Sequence, residues 1–197
     1  MSGLQGKKLI LLDRDGVMNR DRPDSVKSIA EFELLDGVAL AIARLNQSGF
    51  RVVVVTNQAV VGRGVISAAI LSSIHQEMER RLWQEAGGRL DRILVATDAP
   101  SPSGDWRETP RRKPGPQMLC EAMAEFGMMA AETLMVGDSF TDLQAALRAG
   151  CDFWLVETGK GAEVKARLTS DPPCPEFRGG LTICRDLTAV VDRLLGE

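Results

Sequence analysis

Leu9-Ile10-Leu11-Leu12-Asp13-Arg14-Asp15-Gly16-Val17-Met18-Asn19 is an apolar run that stops abruptly at two aspartates one residue apart. Consecutive apolar residues without alternation fit a strand buried on both faces, the habit of strands in parallel sheets. The two acids then stand just past the strand's carboxyl end, where open α/β sheets bind their ligands. Carboxylates this close repel each other and raise each other's pKa unless a positive charge holds them, so a divalent cation accounts for the pair. Magnesium suits the setting because it takes few carboxylates, keeps several waters and bridges to phosphate. Asp and Gly are also ordinary turn residues, so the motif alone fits a plain polar turn equally well. The rest of the chain decides between the two.

Downstream, the opening pattern recurs. Val52-Val53-Val54-Val55 is a β-branched run ending in Thr56-Asn57-Gln58, and Thr133-Leu134-Met135-Val136 ends in Gly137-Asp138. Arg92-Ile93-Leu94-Val95-Ala96 and Phe153-Trp154-Leu155-Val156 read as two further strands. Helical spacing of apolar residues follows Asp36-Gly37, with Gly49 as the stop, and again from Ile66 to Glu85, where Ile66, Ile70, Ile74, Met78 and Leu82 form one i, i+4 row. More helix is expected from Pro116 to Phe126, from Asp142 towards Gly150, and from Asp186 to Leu195. His75, the single histidine, lies beside the long row and reads as partly exposed helix surface. Strands alternating with helices imply an α/β fold, a Rossmann-like single domain over residues 1–197 whose central parallel sheet is flanked by helices.

Composition sets the bounds. The 197 residues are 44% hydrophobic and 26% charged, those of an ordinary globular protein. A net charge of −3 argues against nucleic acid as a partner. No apolar stretch approaches the roughly 18 residues of a membrane helix, so a cytoplasmic location is the expectation. Cys120, Cys151, Cys174 and Cys184 have neither the density of a disulfide scaffold nor a Cys-x-x-Cys spacing, and read as reduced and structural. The polar stretch from Arg20 to Glu33 fits a loop at the site's rim and a plain surface loop equally well, and the Pro- and Ser-rich Thr97 to Gly115 is long enough to carry function.

A parallel sheet gathers strand ends on one edge. That edge would hold Asp13 and Asp15, then Thr56 and Asn57, then Lys113 and finally Asp138 with Asp142. Acids for a metal, with a hydroxyl, an amide and a lysine for oxygen atoms, are the inventory for moving a phosphoryl group.

In this order, the four motifs resemble those of the haloacid dehalogenase superfamily of phosphatases, over nearly the whole chain. Asp-Arg-Asp-Gly-Val-Met-Asn, Thr-Asn-Gln-x-x-x-Gly-Arg-Gly and Arg-Lys-Pro-x-Pro are similar to the group containing heptose 1,7-bisphosphate phosphatases and histidinol-phosphatase domains. The resemblance implies that Asp13 is the nucleophile and that Asp15 first protonates the leaving alkoxide and then activates water. It implies a magnesium site made by Asp13, Asp138 and the backbone carbonyl of Asp15. Thr56 and Lys113 would meet the phosphoryl oxygens, and Asp142 with Ser139 would support Lys113 or the metal's waters. Arg63 and Arg112 are candidates to grip a second phosphate or a polyol; Asn57, Gln58, Asp21 and Asp24 are further candidates for substrate contact. No separate cap domain is visible.

One departure stands out. Members of that group usually carry a zinc loop of cysteines and a histidine before the lysine, whereas Ala96 to Arg112 contain neither residue type. Zinc is therefore not expected there, since Asp98, Asp105 and Glu108 suit it poorly, and Trp106 with its flanking prolines is the expected substitute staple. The expected activity is a magnesium-dependent phosphatase acting as a monomer on a small phosphorylated sugar, heptose 1,7-bisphosphate first and histidinol phosphate second. A polynucleotide 3′-phosphatase and a catalytically silent phospho-ligand binder are the alternatives.

Overall fold

A computed structural model describes residues 6–99, 109–170 and 182–196. The expectations for Asp105, Trp106, Glu108 and Cys174 lie outside these residues.

Six strands form one parallel sheet: β1 (Leu9–Leu12), β2 (Arg51–Asn57), β3 (Arg92–Ala96), β4 (Thr133–Gly137), β5 (Asp152–Val156) and β6 (Thr182–Cys184). Their spatial order is β3-β2-β1-β4-β5-β6. The chain first builds outward from β1 through β2 to β3, then returns to the other edge of β1 and builds outward the opposite way. β1 is therefore central, with Leu9 to Leu12 paired to Arg51 to Val54 on one edge and to Thr133 to Val136 on the other.

Because successive strand side chains point to opposite faces, β1 feeds two cores. Ile10 and Leu12 pack with α1 (Val38–Gln47), α3 (Ala68–Ala86) and α7 (Leu187–Leu195). Leu9 and Leu11 pack with α4 (Gln117–Phe126), α5 (Phe140–Ala149) and α6 (Gly161–Ser170). All four side chains are fully buried, each worth roughly 1.5–3 kcal/mol of transfer free energy. A single turn, α2 (Ala59–Gly62), follows β2.

The long helix departs from its sequence reading. It begins at Ala68, because the Ser67 hydroxyl accepts from the Ile70 N–H (3.2 Å) and caps it there, leaving Ile66 in the preceding turn. The buried face is then Leu71, Ile74, His75, Met78 and Leu82, while Ile70 is 43% exposed. His75 is a correction: it is buried, not surface, because the wholly buried Arg14 reaches it from the loop after β1.

Candidate active site

The β1–β4 pair is where the sheet's winding reverses, and in open α/β folds a crevice forms at that switch. Here it is a cavity of about 580 Å³. Its floor is built from strand ends: Asp13 and Asp15 after β1, Thr56 and Asn57 at the end of β2, and Asp138 after β4. Lys113 enters from the loop preceding α4.

Lys113 is 2% exposed, and its Nζ lies 2.8 Å from Asp13 Oδ1 and 2.6 Å from Asp142 Oδ1. Despite the burial that disfavours its charge, these two acids hold its pKa above the ordinary lysine value. Its main chain is clamped by Asn57, whose amide nitrogen donates to the Lys113 carbonyl (2.9 Å) and whose amide oxygen accepts from the Lys113 N–H (3.0 Å). Asp142, fully buried at the first turn of α5, also accepts from the Ser139 hydroxyl and N–H (2.6 and 3.1 Å), which closes that helix's capping box. Asp142 thus stands behind Lys113, and Ser139, which holds Asp142, lines the cavity.

Carboxylate oxygens of Asp13, Asp138 and Asp142 lie within 4.8 Å of one another. Burial raises Asp13 to about 7, with Asp142 and Asp15 pushing the same way against the pull of Lys113. Burial likewise raises Asp138 to about 8, with Asp13 and Asp142 adding to it. Acids forced together and opening into a cavity are short of positive charge, and Asp13 with Asp138 suit a hard divalent ion. Asp138 is held between two glycines. A Cβ on Gly16 would lie 2.1 Å from its Oδ2 and one on Gly159, at φ +59°, would lie 2.0 Å away. The Lys160 N–H donates to the same oxygen (2.8 Å).

Asp15 lives in a different environment. Its carboxylate accepts from Arg14 Nη2 at both oxygens (2.9 and 2.8 Å), from Asn19 (2.9 Å) and from Gln58 (2.9 Å). Burial would raise its pKa, but the Arg14 charge and these donors outweigh burial and hold it below the usual carboxylate value.

Among the remaining residues singled out from sequence, Asp21, Arg63 and Arg112 line the cavity. Gln58 does not: it is 2% exposed, and its amide is spent on Asp15 and on the Thr56 hydroxyl (2.9 Å each). Asp24 is turned to Lys27 and Arg22. The structure adds Arg14, Asn19, Arg22, Gly159 and Lys160, which the sequence reading passed over. Lys160 lines the cavity in the loop after β5, 3.4 Å from Asp21, and the strand-end rule applied to β5 points to it as it does to the others.

A HAD-hydrolase-like family model matches residues 110–188. The heptose-1,7-bisphosphate 7-phosphatase of Bordetella bronchiseptica is 42% identical over 190 residues, 96% of this chain and 99% of that protein. The chain belongs to the haloacid dehalogenase (HAD) superfamily of phosphatases. The crystal structure of the B. bronchiseptica enzyme, complexed with magnesium and phosphate, superposes with a TM-score of 0.85 at 40% identity, covering 96% of this chain and 98% of that one. The Pseudomonas aeruginosa enzyme of the same name is 38% identical over 189 residues, 96% of this chain and 98% of that protein. This HAD chain therefore matches both relatives over nearly their whole length. No described helix is long and apolar enough to cross a membrane.

Proposed function

We propose that this protein is a magnesium-dependent phosphatase that removes the 7-phosphate of D-glycero-D-manno-heptose 1,7-bisphosphate through an aspartyl phosphate on Asp13. One observation carries the reading: Asp13, with Lys113 Nζ at 2.8 Å, shares a cavity with Asp138 and the separately held Asp15. Asp13, Asp138 and the Asp15 carbonyl would hold magnesium, which when bound would supply charge neutralisation for the phosphoryl oxygens.

The residues do the rest. A carboxylate oxygen of Asp13 attacks phosphorus as the bond to the sugar oxygen breaks, and Asp15 gives its proton to that oxygen. The incoming phosphate dianion opposes the ionised form of Asp15, which supports its protonation in the complex. Water then loses a proton to Asp15 and attacks phosphorus, the bond to Asp13 breaks, and phosphate and the free Asp13 carboxylate are restored. Lys113 and the Thr56 hydroxyl stand where charge develops on the phosphoryl group. Burial lowers the pKa of Arg112, and the nearby Arg63 lowers it further, so two guanidinium groups share the cavity wall. That pairing supports a second anionic group on the substrate. A single domain over residues 1–197, acting as a cytoplasmic monomer on a small solute without nucleic acid, completes the reading.

The test is phosphate release from heptose 1,7-bisphosphate, histidinol phosphate and a 3′-phosphorylated oligonucleotide, with magnesium and with a chelator. The bisphosphate should turn over fastest and the chelator should abolish its hydrolysis. Activity indifferent to chelation, or faster on either competitor, overturns the assignment. The metal site makes its own prediction. Gly159→Ala pushes a methyl group onto Asp138 and should weaken magnesium binding by about 10- to 100-fold, measured by calorimetric titration of the metal.

A further inference from the structure

We propose that His75 is a positioning residue for the general acid/base, acting through Arg14 to fix the carboxylate of Asp15. The inference rests on the reading of Asp15 given above and adds a residue to it from α3.

The connection is direct. Arg14, wholly buried between the two catalytic aspartates, divides its guanidinium between two partners. Nη2 donates to both oxygens of Asp15, and Nη1 lies 3.2 Å from His75 Nε2. Its Nε–H has no acceptor among the described residues. Because the guanidinium is planar and rigid, a contact at Nη1 sets where Nη2 points. Burial, with the Arg14 charge beside it, drives the His75 pKa down to about 4, so the ring is neutral. With Arg14 donating, Nε2 is the accepting nitrogen and Nδ1 carries the proton, an assignment made from the partner.

Asp15 is also held by Asn19 and Gln58, but these approach from its own loop and from the end of β2. His75 is different in kind, because it comes from α3 and ties the acid to a helix that packs against the sheet's core. A helix is a stiffer mount than a loop, and a proton-transfer group displaced by about 1 Å loses on the order of 100-fold in rate.

The experiment compares wild type, His75→Leu, His75→Gln and Asp15→Asn on two substrates, heptose 1,7-bisphosphate and 4-nitrophenyl phosphate. Gln carries an acceptor where Nε2 stood, and Leu carries none. The sugar alkoxide needs a proton as it leaves, whereas nitrophenolate does not. His75→Leu should lower kcat on the sugar phosphate by about 10- to 100-fold with KM nearly unchanged. On the aryl ester it should keep the rate of the nitrophenolate burst and slow the steady state that follows, because only water activation then depends on Asp15. The burst amplitude counts folded sites, so partial misfolding changes that amplitude and not the burst rate. His75→Gln should recover most of the sugar-phosphate kcat.

Wild-type kcat in His75→Leu, an equal slowing of the burst and the sugar-phosphate reaction, or no recovery in His75→Gln overturns the proposal. Asp15→Asn separates the two layers. If it retains sugar-phosphate turnover, the acid/base reading itself fails. If it is inactive while His75→Leu is normal, only the role of His75 is lost.

Discussion

Asp13→Asn is expected to lower phosphate release by at least about 10⁴-fold while leaving the protein folded. An amide oxygen is a poor nucleophile, and the variant has no carboxylate to carry the phosphoryl group between the two half-reactions. Stability should move the other way. Burial and neighbouring acids raise the Asp13 pKa to about 7 in the folded protein, well above an exposed aspartate. A carboxyl group raised on folding contributes stability that is present at low pH and lost as pH rises through its folded value. At pH 8 and without metal, the ionised side chain is therefore a burden, and the isosteric amide removes it. Lys113 keeps Asp142 at 2.6 Å. The melting temperature of metal-free Asp13→Asn at pH 8 should equal or exceed that of wild type. A variant that melts normally and still releases phosphate at the wild-type rate would refute the nucleophile assignment.

Lys113→Met removes the buried cation that Asp13 and Asp142 share, and both functions of that cation should fail together. Breaking a buried charge pair from one side costs about 3–5 kcal/mol, because the remaining charge has no counterpart. Loss of a charged donor at the phosphoryl oxygens adds a fall in kcat of about 100- to 1,000-fold. The pH dependence carries the diagnosis. Asp13 and Asp138 lie high even with Lys113 present, so removing the cation raises Asp13 further. At pH 6 Asp13 is largely protonated with or without the lysine, whereas at pH 8.5 only the variant must still take up a proton there or hold an unpaired buried charge, so its loss grows with pH. Urea unfolding of metal-free protein should show the larger destabilisation at pH 8.5. Equal losses at the two pH values would mean that packing of the lysine stem, rather than its charge, holds the site.

Much of this site is legible in the sequence because one physical rule repeats. Buried runs end in chemistry-bearing side chains, and a parallel sheet brings those ends to one edge. That rule places Asp13, Thr56 and Asp138 without knowledge of any contact. It does not say which way a side chain turns: Gln58, at a strand end, spends its amide on Asp15 and Thr56, and Asp24, expected at the substrate from the family resemblance alone, faces Arg22 and Lys27. His75 was hidden for a related reason. A polar residue near an apolar helical row reads as surface, and what buries it is Arg14, 61 positions earlier in the chain. Ile66 continues the helical spacing, yet α3 starts only at Ala68 because Ser67 caps it. The short-range hydrogen bond overrode the periodicity. Gly159 is visible only in three dimensions, since its need to be glycine comes from Asp138 packing against it.

The central place of β1 has a consequence for how the chain is made. β1 can have one of its edges covered by β2 soon after both are synthesised. Its other edge waits for β4, which begins at Thr133. Translation at about 5–20 residues per second leaves that apolar edge bare for roughly 6–24 s. An edge of this kind is a template for wrong pairing, so the nascent protein has its greatest need of chaperone protection while the segment between the two strands is still being synthesised.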